Sequence, residues 1–150
     1  MGKKYKVGYT QGVYDMFHVG HLNLLNRAKD YCDFLIVGVN SDALVQDYKR
    51  RIPVVNQKDR LYIILNIKAV DKAVIVETLD KKRLLGQLKF DAVFIGDDWK
   101  GNPRWEETKE ELKQYGVDVV FLPYTYGVSS TDLRPEIKFK IEDNDLGDLF

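Results

Sequence analysis

The sequence predicts an α/β fold, a five-stranded parallel sheet in a three-layer αβα arrangement. Two observations predict it. Five short apolar runs alternate with stretches of helical character between Tyr5 and Leu122, the order that builds a parallel sheet with right-handed crossovers. One of these runs, Phe34–Val39, is apolar almost without a break, as a central parallel strand covered on both faces must be.

Tyr5–Gly12 reads as the first strand. Leu22, Leu24, Leu25, Ala28 and Tyr31 then give a helix over Leu22–Tyr31 an apolar side at 3.6-residue spacing. Between them lies Gly12-Val13-Tyr14-Asp15-Met16-Phe17-His18-Val19-Gly20-His21. In an open parallel sheet such a junction is where phosphates bind, because the strand ends leave a crevice and the helix start offers free N–H groups and a partial positive charge. Both histidines of the chain, His18 and His21, flank Gly20 there. Gly20 lets a phosphate come close to the backbone, and each imidazole can donate a hydrogen bond to it.

After Phe34–Val39, Asn40-Ser41-Asp42 supplies caps for a short helix near residues 43–48. Lys49-Arg50-Arg51-Ile52-Pro53 follows as a basic loop. It is either a solvated charge cluster or a mobile arm that closes over a phosphate, and the upstream histidine pair favours the arm. Asn56 caps a helix expected over Gln57–Ala69, with Leu61, Ile64, Leu65 and Ile67 apolar. Lys68 falls in its last turn, where a cation also suits the helix dipole. Lys72–Val76 is the third strand. Asp80 opens a helix to Leu88 that carries Lys81, Lys82 and Arg83. Asp91–Ile95 is the fourth strand and runs into Gly96-Asp97-Asp98-Trp99-Lys100-Gly101. Two carboxylates just past a strand end can hold a ribose hydroxyl, Mg²⁺ or a substrate hydroxyl, or simply form a turn. Trp105–Tyr115 reads as a charged surface helix stopped by Gly116, and Asp118–Leu122 as the fifth strand. Pro123-Tyr124-Thr125-Tyr126-Gly127-Val128-Ser129-Ser130-Thr131 is rich in hydroxyls and leads to a helix start at Asp132, a second anion-binding position. The acidic stretch beyond Pro135 receives no role.

A length of 150 residues suits one domain with a real core. With 23 basic and 23 acidic residues the formal net charge is +0, which argues against a chain built to coat nucleic acid or an anionic membrane. No apolar run approaches the roughly 20 residues of a membrane span, and no signal peptide is visible. Cys32 is the single cysteine, which rules out an intrachain disulfide and a cysteine metal site. A cytoplasmic protein is expected, with no nucleic-acid partner and no metal cage of its own.

Gly12-Val13-Tyr14-Asp15-Met16-Phe17-His18-Val19-Gly20-His21, Gly96-Asp97-Asp98-Trp99-Lys100-Gly101 and Thr125-Tyr126-Gly127-Val128-Ser129-Ser130-Thr131, in this order, resemble the cytidylyltransferase family of the HxGH nucleotidyltransferases. The resemblance covers roughly residues 5–134. It implies a Rossmann-like nucleotidyltransferase domain over residues 1–134, followed by a tail at 135–150. It implies transfer of CMP from CTP to a small phosphorylated alcohol, glycerol-3-phosphate foremost, with release of pyrophosphate. Gly12, Val13, Tyr14, His18, Gly20 and His21 are then expected to line the CTP site, together with Asp97. Tyr124, Thr125, Gly127, Val128, Ser129, Ser130 and Thr131 are expected to hold the base and phosphates. Lys49 matches a loop lysine that bridges the acceptor phosphate and the α-phosphate, and Arg51 the second cation of that loop. Lys68 matches a phosphate-binding Arg or Lys. Lys82 matches a lysine that touches the acceptor, with Trp99 beside it. Mg²⁺ is expected through the CTP phosphates, and a homodimer by the same resemblance.

Two positions depart from the family pattern. Tyr124 stands where the family usually has Arg, and Val13 where bacterial glycerol-3-phosphate enzymes have Thr. Val13 and the Ser-Thr-Asp-Leu ending look more like the phosphocholine and phosphoethanolamine enzymes. Trp99, Trp105 and Tyr126 could form a cage for a quaternary ammonium by cation–π attraction, or could be packing residues. The alternatives that stand beside glycerol-3-phosphate are therefore phosphoethanolamine or phosphocholine, an adenylyltransferase using ATP, and a nucleotide-binding module without catalysis.

Overall fold

The structure is a computed structural model and describes residues 3–123. The hydroxyl-rich stretch Tyr124–Thr131, the helix expected at Asp132 and the tail at 135–150 lie outside the described residues. Within them the elements run β1 (Tyr5–Gly12), α1 (Val19–Asp30), β2 (Cys32–Asn40), α2 (Asp42–Lys49), α3 (Gln57–Leu65), β3 (Lys72–Val76), α4 (Lys81–Leu88), β4 (Ala92–Gly96), a 3-10 turn (Asp97–Trp99), α5 (Pro103–Lys113) and β5 (Asp118–Leu122).

The five strands form one parallel sheet in the order β3-β2-β1-β4-β5, within a three-layer α/β architecture. The chain builds outward from β1 to β3, then returns to place β4 on the other side of β1. The strand order reverses between β1 and β4, and in such a sheet the crevice outside the carboxyl ends at that point is the ligand site. The core lies between sheet and helices. Tyr9, Leu35, Val37, Phe94 and Ile95 fill it from the strands, and Leu25, Ala28, Ile64, Leu84 and Leu112 from the helices. A Cβ on Gly38 would fall 2.1 Å from the Tyr9 hydroxyl. Only a glycine on β2 leaves room for that phenol, which stacks on Phe90 at 4.7 Å.

Of the helix limits that differ from the expectation, three have a local cause. Helix α1 begins at Val19 because His18 is its cap. Helix α3 stops at Leu65 and not at Ala69; the next residues make short i→i−3 bonds, from Asn66 N–H to Ile63 O and from Ile67 N–H to Ile64 O. Helix α5 starts at Pro103, behind an Asn102 cap whose side chain accepts the Arg104 N–H, and proline is well suited to a first helical position.

Candidate active site at the carboxyl edge of the sheet

The β1–α1 connection is a tight loop in which Tyr14 (φ +57°) and Met16 (φ +48°) both adopt the left-handed region, uncommon for residues with a side chain. It delivers His18 to the head of α1. His18 Nδ1 accepts the Gly20 N–H at 3.0 Å, and His21 Nδ1 accepts the His18 N–H at 3.1 Å. The two imidazoles thus form a reciprocal capping box, the arrangement that Ser and Glu more often supply. The helix start is not a row of free N–H groups, as the sequence suggested. Gly20 gives its N–H to His18, so that group is not offered to a ligand.

This geometry fixes the tautomers. A nitrogen that accepts a hydrogen bond carries no proton, so each neutral ring holds its proton on Nε2. The rings lie 3.9 Å apart between centroids. His21 is 1% exposed, with Phe17 stacked on it at 5.3 Å and Tyr14 edge-on at 5.5 Å. Burial, with the neighbouring His18 ring, pushes its pKa down to about 3. His21 is therefore neutral at physiological pH. Its Nε2 is buried and has no hydrogen-bond partner among the described residues. An orphaned buried donor demands an explanation, and an anionic ligand oxygen supplies one.

Below the pair, Arg60 fastens the strand ends. Its side chain is fully buried. The guanidinium donates to Val55 O at 2.8 Å, Val13 O at 2.7 Å, Asn40 O at 2.8 Å and the Asp42 carboxylate at 2.6 Å. One side chain thereby joins the end of β1, the end of β2, the first turn of α2 and the loop before α3. Asp15 makes a second tie. Its two carboxylate oxygens accept the Val54 and Val55 N–H groups at 2.8 and 2.9 Å, binding the histidine loop to the segment that follows the basic run. A buried polar chain runs alongside, from the Tyr9 hydroxyl to Gln11, from Gln11 to Asn40, and from Asn40 to the Tyr48 hydroxyl.

Tyr48 borders a cavity of about 220 Å³ at the same edge of the sheet. Lys49 enters it from the end of α2, Lys81 from the start of α4, Trp99 from the turn after β4, and Arg104 and Trp105 from α5. Lys81 is 7% exposed, donates to Leu79 O at 3.0 Å and lies 5.2 Å from the Trp105 ring centroid. Burial, with the Arg104 charge adding to it, lowers its pKa to about 8. The cavity is smaller than the roughly 300–1,000 Å³ of sites for drug-sized ligands, so its occupant is small.

The expected residues divide on this map. His18, His21, Gly12 and Gly20 gather at the head of α1, and Lys49 and Trp99 share the cavity. Asp97 lies exposed at the end of β4. Arg51 is exposed beyond the left-handed Arg50, and its charge reaches the Tyr48 hydroxyl. Val13 and Tyr14 are each 1% exposed, so their side chains support the loop, and the Val13 carbonyl accepts from Arg60. Lys82 is not in the cavity; it points to the outer surface, with its ammonium 5.6 Å from the Tyr115 ring. Its neighbour Lys81 takes the inner position. Lys68 is not brought to the cluster either. It sits exposed in the turn that leads into the start of β3, close to where Asp71 exchanges hydrogen bonds with Leu35 at the start of β2. That is the amino edge of the sheet, whereas the histidines follow the carboxyl end of β1. Sequence reasoning missed Arg60, Asp15, Lys81 and Arg104. The readable signal for Arg60 was a cation on the inner face of an otherwise apolar helix.

A switch-point crevice, a capped histidine pair and a cationic cavity at the same edge of the sheet fit a fold of the nucleotidyltransferase type. The cytidylyltransferase-like family model matches residues 9–136, and the chain belongs to that family. Glycerol-3-phosphate cytidylyltransferase of Bacillus spizizenii is 33% identical over 85% of this chain and 94% of its own. FAD synthase of Thermococcus onnurineus is 38% identical over 77% of each chain. Bifunctional protein HldE of Geobacter metallireducens is 32% identical over 88% of this chain but only 27% of its own, so the present chain spans about a quarter of that relative. Among solved structures, the lipopolysaccharide core biosynthesis protein of Thermoplasma volcanium superposes with a TM-score of 0.68 at 25% identity, covering 82% of this chain and 98% of that one.

Proposed function

We propose that the protein transfers CMP from CTP to a small phosphorylated alcohol, glycerol-3-phosphate foremost, and releases pyrophosphate. The observation that carries this reading is the pairing of a neutral, buried Nε2–H donor with a separate small cavity of cations at the same edge of the sheet. Two anionic reactants need two anion sites, side by side. An acceptor phosphate oxygen forms a new bond to the α-phosphorus of CTP while the bond to pyrophosphate breaks. The oxygen is already ionised, so no protein nucleophile or base is required. Catalysis then rests on positioning and charge stabilisation. His18 and His21 donate to phosphate oxygens, and Lys49 draws the acceptor towards the α-phosphate.

Among the described residues no three His, Cys, Asp or Glu side chains converge on a possible metal position. In this reading Mg²⁺ arrives on the triphosphate and shields its charge. The roles of Tyr124–Thr131 in holding CTP and of Arg51 and Asp97 at its rim belong to the same proposal, as does the nucleotidyltransferase domain over residues 1–134. A cytoplasmic homodimer is proposed with it. Exposed apolar side chains on α3 and the loop before it support an interface: Ile52, Val54, Tyr62, Ile63 and Leu65. No helix among the described residues is long and apolar enough to cross a membrane.

The FAD synthase relative favours a second reading, an adenylyltransferase that takes ATP. Pyrophosphate release discriminates. CTP and ATP are each crossed with sn-glycerol-3-phosphate, ribitol-5-phosphate, phosphocholine, phosphoethanolamine and FMN. Release with CTP and glycerol-3-phosphate supports the proposal. Release only with ATP replaces it with the second reading, and nucleotide binding without release points to a non-catalytic module.

A further inference from the structure

The cationic cavity at the carboxyl edge of the sheet carries information about the far end of the acceptor. Three cations line it, Lys49, Lys81 and Arg104, and no carboxylate does so among the described residues. Lys81 is nearly fully buried, and its ammonium bonds the Leu79 carbonyl and faces the Trp105 ring. A quaternary ammonium binds best over an indole ring. Here that ring already faces a protein ammonium at 5.2 Å. Trp105 therefore offers no vacant face to a cationic headgroup.

Resting on the reading that this cavity receives the acceptor, we infer that Lys81 and Arg104 make it selective for a phosphoester whose far end is uncharged or acidic. Arg104 is the specificity-determining side chain against phosphocholine and phosphoethanolamine. It comes from the exposed first turn of α5, so it can be changed without opening the core. Its charge is felt at Lys81, where it adds to the effect of burial. A ligand ammonium would enter a space already set against positive charge, while a hydroxyl or a second acid group would find donors there.

The chain has two tryptophans, and both line this cavity. Intrinsic tryptophan fluorescence thus reports on it directly and without catalysis. The purified protein is titrated with sn-glycerol-3-phosphate, phosphocholine and phosphoethanolamine, as wild type, Arg104→Gln and Arg104→Glu, with pyrophosphate release from CTP measured in parallel. The wild type is expected to respond to glycerol-3-phosphate at concentrations at least tenfold below those needed for the two ammonium esters. Arg104→Glu is expected to shrink that ratio to threefold or less, with circular dichroism unchanged. Equal response to all three esters, no response to any, or an unchanged ratio in Arg104→Glu overturns the inference. Selective fluorescence without pyrophosphate release leaves the selectivity standing and removes the transferase reading. Turnover of glycerol-3-phosphate with an unchanged ratio does the reverse.

Discussion

His21 Nδ1 accepts the backbone N–H of His18 at 3.1 Å while His18 Nδ1 accepts the N–H of Gly20 at 3.0 Å. The same atoms that cap the helix thereby force both Nε2 protons outward. In the proposed reaction capping and ligand binding are one device, and each histidine serves both. Loss of one oxyanion-type donor costs about 10²–10³ in kcat, and His21→Ala or His18→Ala is expected to lower kcat by that much in steady-state pyrophosphate release. Loss of the cap should also destabilise the fold by about 1 kcal/mol in urea titration. Near-normal kcat in either variant would remove the histidines from the chemistry.

The buried state of His21 predicts a pH dependence of stability. Its folded pKa is about 3 and its ordinary value 6.5. Between those values the unfolded chain binds a proton that the native ring refuses. The stabilisation is complete above pH 6.5 and is lost as the pH falls towards 3, at up to about 1.4 kcal/mol per pH unit. Urea unfolding from pH 7 to pH 4 is expected to show this slope in the wild type and a shallower one in His21→Gln. Parallel slopes would mean that the ring is solvated in the native state.

Much of the fold was legible because its signals are local. The unbroken run Phe34–Val39 could only be a central strand, and Ser41, Asn56 and Asp80 announced three helix starts as side-chain caps. His18 escaped because histidine is not among the ordinary capping residues. The end of α3 was misplaced because Ile67 and Ala69 continue to pack on the core after the helix has given way to short turns. Apolar spacing records burial, and burial outlasts the helix there. Motif position pointed to the histidines, Lys49 and Trp99, and the last two line one cavity. Lys82, named with them, faces the outer surface while its neighbour Lys81 lines that cavity, since neighbours on a helix point about 100° apart and only the packing of α4 on α5 decides which one faces inward. Apart from the Arg60–Val55 bond, Arg60 and Asp15 act through contacts 18 to 47 residues away in sequence, which no local pattern reports.

Arg60 is expected to be the least replaceable cation among the described residues. Four hydrogen bonds from one buried guanidinium hold three carbonyls and Asp42. Removing a buried charge partner costs about 3–5 kcal/mol, and each orphaned carbonyl adds to that. The Asp42 carboxylate is about a third exposed and recovers some solvation, so the lower end of that range applies. Arg60→Ala should lower the midpoint of thermal unfolding accordingly. Arg60→Lys should recover little of the loss, because one ammonium cannot span the fork. Full recovery in Arg60→Lys would show that charge alone, and not the planar geometry, joins the strand ends.

Asp15 makes a narrower prediction. Its carboxylate receives two backbone N–H groups of the segment after the basic run, bonds strengthened by its charge. Asp15→Ala frees that segment while leaving the sheet intact. Stability is expected to fall by about 1–2 kcal/mol. The KM for the acceptor should rise by several-fold more than kcat falls, because Lys49 sits at the other end of the released segment. A pure loss of stability with unchanged KM would make Asp15 a fold residue only.

Lys81 sets a pH limit on the alkaline side. Its ammonium is held at a pKa of about 8, first by burial and then by the Arg104 charge, with Asp80 opposing them. Lys49 also faces the cavity. As the pH rises through 8 the ammonium loses its proton, the cavity loses one positive charge, and an anionic acceptor binds less well. The KM for glycerol-3-phosphate is expected to rise above pH 8 while the affinity for CTP stays nearly flat. Arg104→Gln withdraws the second cause of the shift, so the break in the profile should move to higher pH, even as the overall KM increases. Lys81→Met should abolish the break. A break that stays in Lys81→Met belongs to another group, and one that stays in place in Arg104→Gln leaves burial as its sole cause.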